Sequence, residues 1–108
     1  MSIKQEIFDL IARRRAVTFY ELEQEIDGFF GDNCWGTPET NMFFWTRLSK
    51  EAGESLIELI NEGAIKMTPS SRLVYQIDGF ETFMDIAKEI KKYKSPRWFP
   101  VVFNPVTH

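Results

Sequence analysis

The chain has 108 residues and a net charge of −3, with 44% hydrophobic and 15% aromatic residues. This length predicts one domain over residues 1–108, because two smaller cores would bury too little apolar surface to be stable. The apolar content argues against global disorder, the apolar runs are too short for a membrane span, and no signal peptide is visible. The lone Cys34 excludes an intramolecular disulfide and favours a reducing compartment, so we expect a cytoplasmic protein.

Residues 1–27 predict two helices joined by a short strand. Residues 3–15 carry apolar side chains at helical spacing and end in three arginines, where positive charge suits the helix dipole. Residues 16–18 are short and β-prone. Thr18 and Glu21 have the spacing of a capping box, which predicts a second helix that stops at a following Asp-Gly pair.

Residues 28–48, called the insertion below, are the least regular part of the sequence. The first part is rich in Gly, Asp and Asn, which predicts a loop. Thr37-Pro38-Glu39 favours a short helical turn, because proline is tolerated at the first helical position. Met42–Trp45 is apolar without alternation, so a buried strand and part of a helix both remain open.

A third helix is predicted over residues 49–62, with Ser49 as its N-cap and Gly63 as its stop. Alternating residues then predict a β-hairpin, with strands at 65–67 and 73–77.

The C-terminal part predicts a helix and an extended tail. A fourth helix is expected to follow Asp78 and to bury Phe83, Ala87 and Ile90. It ends before Ser95-Pro96, because a residue that precedes proline disfavours the helical conformation. The three prolines after residue 95 exclude a helix in the remaining residues, which form an apolar extended tail.

This order of elements resembles the winged-helix superfamily, and the helix-Glu-Gly-x-Ile junction at residues 56–65 is the closest match. The resemblance covers residues 3–78 apart from the insertion. It implies an α+β winged helix-turn-helix with three helices and a β-hairpin wing, here extended by a C-terminal helix and tail over residues 79–108. In that superfamily the third helix commonly enters the major groove of DNA, while the wing touches the backbone.

The outward face of the third helix has the wrong charge for that role. Its glutamates recur at positions i, i+3, i+7 and i+11, and they are Glu51, Glu54, Glu58 and Glu62. Only Lys50 offsets them on this helix. In a major groove these carboxylates would face phosphates, and such like-charge juxtaposition costs several kcal/mol. The stripe favours a basic protein partner, and a simple solvated helix face is the alternative.

Aromatic residues are concentrated in the insertion and the tail. Trp35, Trp98 and Phe99 are therefore candidate partner contacts, together with Glu51, Glu54 and Glu58. The alternative is that the insertion and tail form a supplementary core. The run Val101–Phe103 also suits addition to a sheet edge, either in its own chain or in another copy.

A second hypothesis is a DNA-binding regulator that uses the wing and the basic helix ends. Residues 79–108 carry five basic and three acidic residues, which makes this the only basic third of the chain. The candidate nucleic-acid contacts are Arg13, Arg14, Arg15, Lys66, Arg72, Lys91 and Lys92.

The sequence gives no sign of catalysis, of a metal site or of a cofactor. One cysteine and one histidine, His108, cannot make a metal site, and no phosphate-binding or dinucleotide-binding glycine motif is present. We therefore expect a non-catalytic module that binds a protein partner or forms a homo-oligomer. Nucleic acid is less favoured and no membrane is expected. A structural subunit buried in a larger assembly is a third hypothesis.

Overall fold

The computed structural model describes residues 2–82 and 84–106. These residues form an α+β fold with four helices and two three-stranded sheets. The elements in chain order are α1 (Ile3–Arg14), β1 (Val17–Thr18), α2 (Phe19–Glu25), β2 (Phe30–Thr37), β3 (Met42–Leu48), α3 (Lys50–Asn61), β4 (Ile65–Pro69), α4 (Arg72–Asp78), β5 (Arg97–Trp98) and β6 (Val101–Pro105).

The first three helices begin where side-chain caps predict. Thr18 Oγ1 accepts from the Glu21 amide at 3.0 Å, and Ser49 Oγ accepts from the Ala52 amide at 3.1 Å. Ser2 caps α1 in the same way. The Glu21 carboxylate does not complete the capping box, because it accepts from Arg14 Nη1 at 2.7 Å instead.

Helix α3 ends in a Schellman motif, as the glycine after it predicts. Gly63 has a φ of 75°, and the Ala64 amide donates to the Leu59 carbonyl at 3.0 Å. This reversal directs the chain into β4, which confirms the predicted helix-to-strand junction.

The predicted hairpin wing is wrong in its second strand, because residues 72–78 form helix α4. The position beside β4 is occupied by β6 from the tail, so residues 73–77 have no strand to pair with there. Tyr75 is the buried residue of α4, whereas Leu73 and Ile77 are exposed. The apolar alternation that suggested a strand therefore reflects one buried anchor with exposed apolar neighbours.

The tail supplies the central strand of the first sheet, whose order is β1-β6-β4. Both neighbours are antiparallel to β6, with Phe103 opposite Val17 on one side and Met67 on the other. Phe103 is fully buried. The tail is thus ordered within its own domain. Strand β1, which lies in the short strand predicted at residues 16–18, pairs with it.

The insertion forms most of the second sheet, whose order is β2-β3-β5. The loop predicted for its Gly-rich part is wrong, since β2 spans that part as an irregular, bulged strand. A Cβ at Gly36 would lie 2.7 Å from Phe43 Cα, and a Cβ at Gly31 would lie 2.5 Å from Ser49 Cα. The glycines therefore allow close approach of neighbouring backbone rather than a loop. Residues 38–40 form the predicted turn, and Met42–Trp45 belongs to a strand.

The predicted fourth helix is also wrong, because the described residues between 79 and 96 are irregular. Their backbone groups bind other partners: the Ala87 amide donates to the Trp98 carbonyl, and the Trp98 amide donates to the Asp85 carbonyl, both at 2.8 Å. Ala87 is buried as expected, whereas Ile90 is 80% exposed. Phe83 lies outside the described residues.

The core between the two sheets is built from aromatic rings. Phe19 stacks on Trp45 at 5.6 Å between ring centroids and meets Phe103 edge-on at 4.9 Å. The Tyr75 hydroxyl donates to the Val101 carbonyl at 2.7 Å and accepts from the Phe19 amide at 3.2 Å. One phenol thus joins α4, β6 and α2.

We predict that Tyr75→Phe lowers the free energy of unfolding by about 1–3 kcal/mol, because it leaves the buried Phe19 amide without its acceptor. Urea unfolding followed by circular dichroism measures this change. Tyr20→Phe is the matched control, since this half-buried phenol has no hydrogen-bond partner among the described residues, and its effect should stay within about 0.5 kcal/mol. Equal effects of the two substitutions would contradict a stabilising role of the Tyr75 hydroxyl.

The same phenol predicts a loss of stability at alkaline pH. Burial raises the pKa of Tyr75 above its usual value of 10.0. Above that pH the unfolded tyrosine ionises while the folded one stays neutral, so stability falls by up to about 1.4 kcal/mol per pH unit. Tyr75→Phe removes this contribution. The stability difference between wild type and Tyr75→Phe should therefore shrink as pH rises above 10, and a constant difference would contradict the assignment.

Candidate functional site

The outward face of α3 carries the predicted glutamate stripe, and all four of its carboxylates are exposed. The α1 residue Lys4 lies 3.2 Å from Glu58 and also pairs with Glu62. The hydrogen bond to Glu62, followed by that to Glu58, raises the pKa of the Lys4 ammonium. Sequence reasoning missed this lysine because it is remote in sequence from α3. Lys4 offsets part of the charge of the C-terminal half of the stripe, as Lys50 does for the N-terminal half through Glu54.

A groove of 260 Å³ lies between β2 and the N-terminal half of α3, and we call it the β2–α3 groove. Lys50, Gly53, Glu54 and Ile57 line it from α3 at positions i, i+3, i+4 and i+7. Its remaining walls come from the insertion and the start of α3, and they are Asn33, Cys34, Trp35, Leu48 and Ser49. The fold thus brings two predicted partner contacts, Trp35 and Glu54, into one groove.

Two apolar residues of this region were not singled out from the sequence. Ile57 is 45% exposed and lines the groove, and Phe30 at the start of β2 is more exposed still. Ile57 lies outside the buried stripe of Ala52, Leu56 and Leu59, among the glutamates. An apolar residue on the polar face of a helix was the available signal for a contact surface.

The predicted tail aromatics are placed differently. Trp98 is 4% exposed, and its indole donates to the Phe44 carbonyl at 3.2 Å, so its side chain belongs to the core. Phe99 is half-buried and meets Phe44 edge-on at 5.9 Å. Trp35 also meets the Phe44 ring edge-on, at 6.0 Å between ring centroids. Trp35 alone among these three aromatics lines the groove.

Several of the basic residues already have partners within the chain. Arg14 pairs with Glu21 and with Glu25, and the bond to Glu21 raises its pKa. Arg72 donates to the Met84 carbonyl at 2.6 Å, and Lys91 pairs with Glu89 at 3.2 Å.

The other basic candidates are exposed, and they are Arg13, Arg15, Lys66 and Lys92. Lys66 lies opposite Asn104 on β6, and the Asn104 side chain accepts from the Ala16 amide at 2.9 Å. Lys66 therefore lies near the end of α1, whereas Lys91 and Lys92 belong to the irregular segment before β5. The candidate nucleic-acid contacts thus divide into a group at the end of α1 with Lys66 and a group in other segments of the chain.

Within residues 2–82 and 84–106, no cluster of acidic, cysteine or histidine side chains is arranged to hold a metal ion. None of the helices described for this chain is long and apolar enough to cross a membrane. The groove offers apolar contact surface, the carboxylate of Glu54 and an exposed free thiol at Cys34. These groups suit docking of another molecule.

Comparison with known proteins gives no match to a protein-family model, to a curated protein or to a solved structure.

Proposed function

We propose that this chain is a small, non-catalytic winged-helix module that binds a protein partner through the β2–α3 groove. The observation that carries the proposal is the meeting of Trp35, Glu54 and Ile57 in one groove. Trp35 comes from the insertion. Glu54 and Ile57 come from α3, the third helix, which enters the major groove of DNA in many winged-helix proteins.

The order of elements supports the winged-helix part of the proposal. Helices α1, α2 and α3 and strands β1 and β4 follow the expected order, and the stub β1 belongs to the same sheet as β4. Strand β6 takes the place of the second wing strand, with the segment 70–100 inserted before it. The β2–β3 hairpin is a second insertion, placed between α2 and α3.

The composition of the groove supports a protein partner. An apolar centre with a charged rim is the usual anatomy of a protein interface. Here the half-buried Trp35 and the exposed Ile57 supply apolar lining, and the exposed Glu54 lies beside them with its 3.9 Å partner Lys50. Glu51 lies one turn before, also exposed. This pattern suits a partner that inserts an apolar side chain and carries basic residues beside it.

Charge argues against duplex DNA on the same surface. Phosphate neutralisation by basic side chains dominates the affinity of proteins for DNA. The groove has Glu54 against Lys50, and the adjacent face of α3 adds further carboxylates. We place the module in a reducing compartment such as the cytoplasm, because Cys34 is an exposed, free thiol in the groove.

Ile57→Arg tests the groove directly. We expect this substitution to weaken partner binding by at least about tenfold, because a charged side chain replaces an apolar contact at the interface centre. Pull-down with purified protein identifies the partner, and calorimetry with that partner measures the affinity. Ile77→Arg is the matched control, since Ile77 is 76% exposed on α4, outside the groove.

Cys34 provides a second readout, because it is the only cysteine of the chain. A photo-crosslinker attached there should form adducts with the partner in wild type and in Ile77→Arg, and not in Ile57→Arg. Light scattering tells whether the partner is a second copy. Binding that is unchanged by Ile57→Arg, or tight duplex DNA binding that weakens steeply with salt, would contradict the proposal.

A further inference from the structure

A second cavity, distinct from the β2–α3 groove, lies between β3 and the segment that follows α4. Its volume is 210 Å³, and its apolar walls come from Trp45, Phe80, Met84 and Trp98. It shares no lining residue with the groove. The volume is below the roughly 300–1,000 Å³ of sites for drug-sized ligands, so it suits a small metabolite. We call it the Arg47 cavity.

Arg47 is held in a fixed orientation at this cavity. Its guanidinium carbon lies 5.3 Å from the centroid of the Trp45 ring and 5.2 Å from that of Phe80. Its Nε donates to Glu23 at 2.7 Å, and the Glu23 side chain is only 5% exposed. The two terminal nitrogens have no hydrogen-bond partner in the described part of the chain. A guanidinium fixed in this way is suited to bind a carboxylate through two parallel hydrogen bonds.

The charges around the cavity favour a zwitterion over a simple anion. Glu23 already neutralises Arg47, and the exposed carboxylate of Glu81 also lines the cavity. The three groups together carry one net negative charge, which repels an anion and attracts a ligand that also carries an ammonium group.

The indole of Trp45, whose side chain lines the cavity, carries an unpaired donor. Its N–H is buried and has no hydrogen-bond partner among the described residues, although buried donors are nearly always paired.

We propose that the Arg47 cavity binds a free α-amino acid with an apolar side chain. The ligand carboxylate accepts hydrogen bonds from Arg47, and its ammonium group faces Glu81. The side chain packs against the apolar walls, where Trp98 and Met84 lie. Each of the three parts of such a ligand has a matching group in the cavity.

L-Leucine is the first probe, and tryptophan fluorescence follows its binding because Trp45 and Trp98 form walls of the cavity. We expect saturable binding with a Kd of about 1 mM or below. N-acetyl-L-leucine lacks the ammonium group and L-leucinamide lacks the carboxylate, so both should bind several-fold more weakly. Equal binding of all three compounds, or no saturable change with leucine, would overturn the proposal.

Glu81→Gln tests the ammonium site without disturbing a buried group. This variant should weaken leucine binding about threefold, as expected for a partly exposed charge pair, and should not weaken binding of N-acetyl-L-leucine. Glu39→Gln is the control, because Glu39 is exposed and lies outside the cavity. Identical leucine affinities in Glu81→Gln and Glu39→Gln would contradict the ammonium site.

Discussion

The molecule depends on β6, which lies between β1 and β4 in the first sheet. The two outer strands come from early and middle parts of the chain, and neither pairs with the other. Phe103 on β6 contacts Phe19 of α2, and the Val101 carbonyl accepts from Tyr75 of α4. Backbone pairing, ring packing and a buried hydrogen bond therefore all converge on one five-residue strand. Since its contacts are remote in sequence, the first sheet can form only after the whole chain is available.

The insertion adds a groove and a cavity to the surface formed by the helices and the first sheet. Its β2–β3 hairpin contributes Trp45 to the core and Trp35 to the edge of the core, beside α3. The hairpin thereby turns one side of α3 into the wall of a groove, and a Cβ placed on Gly53 of that wall would lie 3.6 Å from Leu48 Cδ1. The same hairpin supplies Arg47 and Trp45, which line the Arg47 cavity together with residues of the segment after α4. Both candidate sites thus come from one inserted hairpin.

Ion pairs determine how charge is distributed around these two sites. Lys4 pairs with the two C-terminal glutamates of α3, and Arg14 joins α1 to α2 through Glu21. Exposed pairs of this kind contribute little stability, typically below about 1 kcal/mol each. Their main consequence is the distribution of charge that remains: Glu51 is exposed beside the groove, Glu54 pairs with Lys50 on the same helix, and several of the basic groups are paired.

Local signals in the sequence determined the helices α1, α2 and α3, because their caps and apolar stripes lie within a few residues of one another. Thr18, Ser49 and Gly63 act as predicted, and the glutamate stripe follows directly from the helical repeat. The apolar content of the tail indicated an ordered segment but left open whether its own chain or another chain covers it.

Only the tertiary structure decided what pairs with β4 and which residues form the sites. Residues 73–77 have strand-like alternation, but β6 occupies the neighbouring position and residues 72–78 become a helix around Tyr75. Residues 79–96 have helical spacing, but the Ala87 amide donates to the Trp98 carbonyl and the Tyr93 amide to the Thr40 carbonyl. Strand pairing is a competition between segments remote in sequence, and the groove and cavity arise where such segments meet. Local pattern carries no information about that competition, so Ile57 and Arg47 gained their roles only in the folded chain.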